Sequence, residues 1–130
     1  MKILVVDDEQ LIRLTAEKAL SNAGHDVVVT GSGKGALIAL SEQTFDVILL
    51  DYELPDINGL NITRLLHSNP ELKSIPIILM SAHNKLELIQ QAYDAGIILF
   101  LHKKETLFKD LSSFVTTYTQ LNKFNGAINE

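Results

Sequence analysis

Val47-Ile48-Leu49-Leu50-Asp51-Tyr52-Glu53-Leu54-Pro55-Asp56-Ile57-Asn58-Gly59 is an unbroken apolar run that ends on an acid and passes into turn residues. Apolar residues in succession, with no polar alternate, mark a strand buried on both faces, as in a parallel sheet with helices on either side. Asp51 then stands at the carboxyl end of such a strand, and Pro55 and Gly59 punctuate the loop beyond it. Outward from this segment lie four more runs of strand length: Ile3 to Val6, Val27 to Val29, Ile77 to Met80 and Ile97 to Leu101. The Val27 run is shorter and flanked by polar residues, which suits an edge.

Helical periodicity fills the intervals. Ile12, Ala16, Ala19, Leu20 and Ala23 fall on one side of a 3.6-residue repeat, and Gly24 supplies a stop. Leu65, Leu66, Ile89 and Ala92 mark two further helices, and Asn84 with Glu87 suggests a capping box at the start of the fourth. Leu107, Leu111, Phe114, Val115, Tyr118 and Leu121 repeat the pattern near the end. Alternating strands and helices with right-handed crossovers predict an α/β doubly wound parallel sheet, a flavodoxin-like (βα)5 unit with strand order 2-1-3-4-5. That unit is expected over residues 1–121, followed by a polar tail or linker stump over 122–130.

The composition narrows the function. The chain has 130 residues, 46% of them hydrophobic, enough for one core. A formal charge of −5 gives no field to draw a nucleic acid backbone or an anionic membrane. No apolar stretch approaches the ~20 residues that cross a bilayer. With no cysteine there is neither a disulfide framework nor a thiolate zinc site, which fits a cytoplasmic protein. Thr30-Gly31-Ser32-Gly33-Lys34-Gly35 fails the phosphate-loop pattern at Val28 and Gly35, and a turn with a helix start accounts for it. His25, His67, His83 and His102 lack zinc-site spacing.

The acids remain. Asp7 and Asp8 follow the first run and Asp51 the third, and in this strand order those strands are neighbours. Open α/β sheets bind ligands outside the carboxyl ends of such strands, where the order reverses. Two carboxylates held about 4 Å apart repel by roughly 4 kcal/mol at an effective dielectric near 20. A hard cation with oxygen ligands, such as Mg²⁺, relieves that repulsion. Ser81 after the fourth run and Lys103 after the fifth add a hydroxyl and an ammonium at the same end of the sheet. Lys104 competes with Lys103, but counting from Gly96 favours Lys103.

Taken in order, Val6-Asp7-Asp8-Glu9, the Asp51 to Gly59 segment, Met80-Ser81-Ala82, and Ala95-Gly96 with Phe100 and Lys103 resemble the receiver domains of two-component response regulators across nearly the whole chain. The resemblance implies that Asp51 accepts a phosphoryl group from a sensor histidine kinase or a histidine phosphotransfer protein. It implies that Asp8, Asp51 and the Glu53 carbonyl ligate Mg²⁺, with Asp7 orienting a ligand water. Lys103 and Ser81 would contact the phosphoryl oxygens, and Ser81 and Phe100 would switch a surface that binds an output domain, a target or a second copy. Such a domain catalyses its own phosphorylation and dephosphorylation without being a conventional turnover enzyme. Glu53 and His83 border the water entrance and are expected to set the acyl-phosphate lifetime.

Lys104 stands where the family has a proline, and a trans peptide is expected there, since a cis bond without proline costs about 3 kcal/mol. Plain core is the alternative reading of Phe100. A haloacid dehalogenase-like hydrolase would need an Asp-x-Asp-x-Thr loop where Asp7-Asp8-Glu9-Gln10-Leu11 stands. A receiver-like interaction module that is never phosphorylated is the remaining rival, and Mg²⁺ binding with phosphotransfer separates the two.

Overall fold

The computed structural model describes residues 1–103. Its elements alternate without exception: β1 (Lys2–Val6), α1 (Gln10–Asn22), β2 (Asp26–Thr30), α2 (Gly33–Glu42), β3 (Val47–Asp51), α3 (Gly59–Ser68), β4 (Ile77–Ser81), α4 (Leu86–Ala95) and β5 (Leu99–His102). All strand pairs are parallel, in the order β2-β1-β3-β4-β5. This is the flavodoxin-like α/β arrangement expected from the sequence, with β2 at an edge. The helix expected from Leu107 onward, the Lys103–Lys104 peptide and the tail lie outside the described residues.

The unbroken apolar runs have a direct cause in the packing. Side chains alternate across a strand, so Leu4, Val6, Ile48, Leu50, Ile77 and Leu79 enter one core with residues of α2, α3 and α4. Their neighbours Ile3, Val5, Val47, Leu49, Ile78 and Met80 enter a second core on the other face with Ala16 and Leu20 of α1. Each central strand faces apolar surroundings on both sides, and a polar residue at any of these positions would be stranded.

Two boundaries differ from expectation. Helix α4 begins at Leu86 with Lys85 as its N-cap and no side-chain cap, so Asn84 and Glu87 form no capping box. The start is one residue late, which leaves Glu87 in the first turn, where its charge suits the helix dipole. The last strand begins at Leu99 rather than Ile97. Gly96 closes α4 with φ +112, and the chain needs two residues to swing into register, although Ile97 is already buried. Apolar pattern reports burial, and here burial precedes the ladder.

The stretch that imitates a phosphate loop is the start of α2. Ser32 caps it by accepting from Gly35 N at 3.0 Å, while Asp56 accepts from Gly33 N at 2.9 Å and Lys34 N at 2.8 Å. The anion at this helix end is thus the protein's own carboxylate, reaching back from the loop after β3. Hydrogen bonds from those two amides hold the Asp56 carboxyl below its ordinary range.

Candidate functional site

Every residue singled out for chemistry except Phe100 and Glu53 stands at or just past the carboxyl end of a strand, three of these strands central and β5 at the edge. Asp7 follows β1, Asp51 and Ser81 are the last residues of β3 and β4, and Lys103 follows β5. Asp7 and Ser81 are fully buried, and Asp51 is 2% exposed. Oxygens of Asp7, Asp8 and Asp51 all lie within 4.8 Å of one another, with Asp8 on the solvent side. Lys103 Nζ lies 2.6 Å from Asp7 Oδ2 and 3.1 Å from Asp51 Oδ2, with Glu9 Oε1 farther off at 4.0 Å.

The backbone aims these groups. Asp7 Oδ1 accepts from Glu9 N at 3.0 Å, and Asp51 Oδ1 accepts from Glu53 N at 3.2 Å. Each bond spans two residues and turns one carboxylate oxygen towards its own loop, leaving the other facing the lysine. Asp7 Oδ2 is buried without a well-directed hydrogen bond and is held by the Lys103 charge. The turn after β3 brings Gly59 N within 2.8 Å of Tyr52 O. A Cβ on Gly59 would stand 2.5 Å from the Asp51 carbonyl, so the loop closes this tightly only over glycine.

Burial, and then the charge of Asp7, push the Asp51 carboxyl up to about 6 against the opposing pull of Lys103. Burial alone would lower the Lys103 ammonium, but Asp7 and Asp51 outweigh it and hold the group above its ordinary value. Among the described residues, three carboxylates against one buried ammonium leave an excess of negative charge. A hard divalent cation fits this donor set of carboxylate oxygens, one of them a buried oxygen met, among the described residues, by the Lys103 ammonium alone.

The pattern of the response regulator receiver domain matches residues 3–112. The chain belongs to this family. A receiver domain of two-component signalling thus accounts for the fold and for the acid cluster at its strand ends. The receiver domain is 38% identical over 105 residues to the transcriptional activator protein ExaE of Pseudomonas putida, covering 79% of this chain and 48% of that protein. It is 33% identical over 118 residues to the CAI-1 autoinducer sensor kinase/phosphatase CqsS of Vibrio cholerae, covering 88% of this chain and 17% of that one. Among solved structures, the phosphorylated cyanobacterial phytochrome response regulator RcpA superposes with a TM-score of 0.81 at 27% identity, covering 87% of this chain and 89% of that one. The receiver domain therefore spans less than half the length of these two curated relatives, one a sensor kinase and one a transcriptional activator.

Ser81 Oγ accepts from His83 N at 3.0 Å, and Ser81 O accepts from Lys103 N at 2.7 Å, so the hydroxyl and the lysine share a backbone connection. The exposed side chains of Glu53 and His83 meet across the mouth of the site, with His83 Nε2 3.2 Å from Glu53 Oε1. Phe100 sits apart from the acids, half-buried on β5 against the core shared with α4. Its backbone N donates to Tyr93 Oη at 3.0 Å.

Arg13 and Tyr93 were not legible as functional residues. Arg13 Nη1 donates to the Asp7 carbonyl at 2.8 Å and steadies the turn that carries the acid pair. A cation one turn into the helix after Asp7-Asp8 was the available signal. Tyr93 carries no comparable signal, because its partner is a backbone amide on another element.

No described helix is long and apolar enough to cross a membrane.

Proposed function

We propose that the receiver domain accepts a phosphoryl group on Asp51 in a magnesium-dependent transfer and thereby switches a partner-binding surface. The observation that carries this reading is the Asp51 carboxylate, buried at a strand end beside Asp7 and Asp8, with the Lys103 ammonium bridging it to Asp7. An Asp51 oxygen attacks the phosphorus of a phosphohistidine on a sensor kinase or phosphotransfer protein. The phosphorus–nitrogen bond breaks, the imidazole leaves with a proton from solvent, and an acyl phosphate forms.

Mg²⁺, when bound, would supply positive charge to the phosphoryl oxygens and relieve the carboxylate repulsion. Asp8, Asp51 and the Glu53 carbonyl would hold it, with Asp7 orienting a ligand water. Lys103 takes the charge of another phosphoryl oxygen and Ser81 donates its hydroxyl proton there. The Ser81 hydroxyl oxygen already accepts from His83 N, so its proton is the part left to give. Phe100, tied through its backbone to α4, is the second switch residue, and the face of α4 and β5 is the surface that an output domain, a target or a second copy would read. Residues 1–121 form the receiver unit on this reading, with 122–130 as tail or linker, and the reaction belongs to the cytoplasm, as the lack of cysteine suits.

The test is intact-mass labelling with acetyl phosphate. One phosphoryl adduct that needs Mg²⁺ and disappears in the Asp51→Asn variant is expected. Equal labelling of that variant would remove Asp51 from its role, and no labelling of wild type would favour a module that acts unphosphorylated.

A further inference from the structure

We propose that His102 is a positioning residue for phosphoryl transfer: its imidazole clasps the backbone next to Ser81 and holds the hydroxyl and the Lys103 ammonium in one alignment. This deepens, and rests on, the phosphorylation of Asp51 argued above.

Ser81 and His102 end neighbouring parallel strands and are register partners. The next residue on each chain is committed to the other strand: Lys103 N donates to Ser81 O at 2.7 Å, and His102 Nε2 lies 2.9 Å from Ala82 O. A carbonyl only accepts, so Nε2 carries the proton in this contact and Nδ1 of the neutral ring is bare. That Nδ1 is buried and has no hydrogen-bond partner among the described residues.

An unmatched buried nitrogen weakens a fold. An aliphatic side chain at this half-buried strand position would keep the packing and avoid the loss. Stability therefore does not explain the imidazole, whereas the clasp does. Beyond Ser81 the chain from Ala82 to Glu87 is exposed. Within it, His83 N is bonded to Ser81 Oγ, a tie local to the loop that anchors it to nothing else. The His102 contact is what refers this loop to β5, the strand that leads into Lys103. Hydroxyl and ammonium are then set by one strand and reach a common phosphoryl group together.

The experiment compares wild type, His102→Leu and His102→Gln as the whole chain, with acetyl phosphate and saturating Mg²⁺, by intact mass over time. Glutamine can offer an amide N–H at nearly the position of Nε2, whereas leucine cannot. Labelling of the leucine variant should slow about 3- to 10-fold, the range expected from loss of one neutral hydrogen bond. Its Mg²⁺ affinity by calorimetry should be unchanged and its Tm no lower than wild type. The glutamine variant should recover at least half of the wild-type rate. A leucine variant as fast as wild type, a glutamine variant as slow as leucine, or a parallel fall in Tm and Mg²⁺ affinity would each overturn the assignment. Failure of wild type to label would overturn the phosphorylation of Asp51 itself, and this inference with it; labelling of wild type matched by the leucine variant overturns this inference alone.

Discussion

The two halves of the site are built differently. Strands β1 and β3 contribute the carboxylates from a part of the sheet in which Ile3 to Val6 and Val47 to Leu50 are all essentially inaccessible. Strands β4 and β5 contribute the hydroxyl and the ammonium, but every residue of β5 is only half-buried and the loop after β4 is exposed from Ala82 to Glu87. The acid half is locked by packing on both faces. In the other half β4 is packed equally tightly, and it is β5 and the loop after β4 that depend on single polar contacts beside the ladder: Lys103 N to Ser81 O, His102 to Ala82 O, and Tyr93 to the Phe100 amide. Electrostatic tension is thus stored where the backbone cannot yield, and freedom to respond lies where few bonds must change.

The most severe way to break this division is to remove Lys103, the cation that joins the halves among the described residues. Lys103→Ala should slow Asp51 labelling by roughly 10²- to 10³-fold, as expected for loss of a group that stabilises transition-state charge. Time courses of adduct formation by mass spectrometry would measure it. A loss under about fivefold would mean that the β4 and β5 half is dispensable for chemistry.

Tension in the acid half can be read from stability. The Asp51 carboxyl is raised to about 6 in the folded, metal-free protein from an ordinary 3.8. The folded state therefore binds the proton more tightly, and that contribution is complete below about pH 4 and lost as pH rises through about 6. At neutral pH the ionised carboxylate opposes folding, so the Asp51→Asn variant without metal should be more stable than wild type. A gain of about 1–2 kcal/mol is expected, below the ~3 kcal/mol of a fully screened-off site, because solvent reaches the mouth. The gain should vanish near pH 4, and Mg²⁺ should reverse it in favour of wild type, which alone keeps the charged ligand. Denaturant titrations across that pH range decide it; a constant difference at all pH values would place the tension elsewhere.

The gentlest probe sharpens the comparison at the mouth. Glu53 and His83 follow β3 and β4 respectively, one in each half of the site, and their contact is exposed on both sides, where such pairs contribute little to stability. The Glu53→Ala/His83→Ala variant should keep the wild-type Tm and change the acyl-phosphate lifetime several-fold, about 2- to 5-fold on the scale of one weak polar contact. Dephosphorylation followed by mass after removal of the donor would show it. Equal lifetimes would confine these two residues to a surface contact.

Much of this molecule follows from local pattern. The period of apolar residues identifies the doubly wound sheet, because a strand covered on both faces must be apolar at every position. That topology in turn requires residues such as Asp7, Asp51, Ser81 and Lys103 to gather at one end, since every parallel strand points the same way. Their spacing is therefore informative in the sequence alone. Asn84 and Glu87 show the limit: capping depends on where the helix begins, and a start one residue later cancels the motif. Tertiary structure alone decided which atoms meet. Arg13 on the Asp7 carbonyl, Asp56 on the start of α2, Tyr93 on the Phe100 amide and His102 on the Ala82 carbonyl all join a side chain to a backbone group. Every residue presents the same backbone atoms, so such a partner leaves no trace in residue type, and only the folded chain selects it.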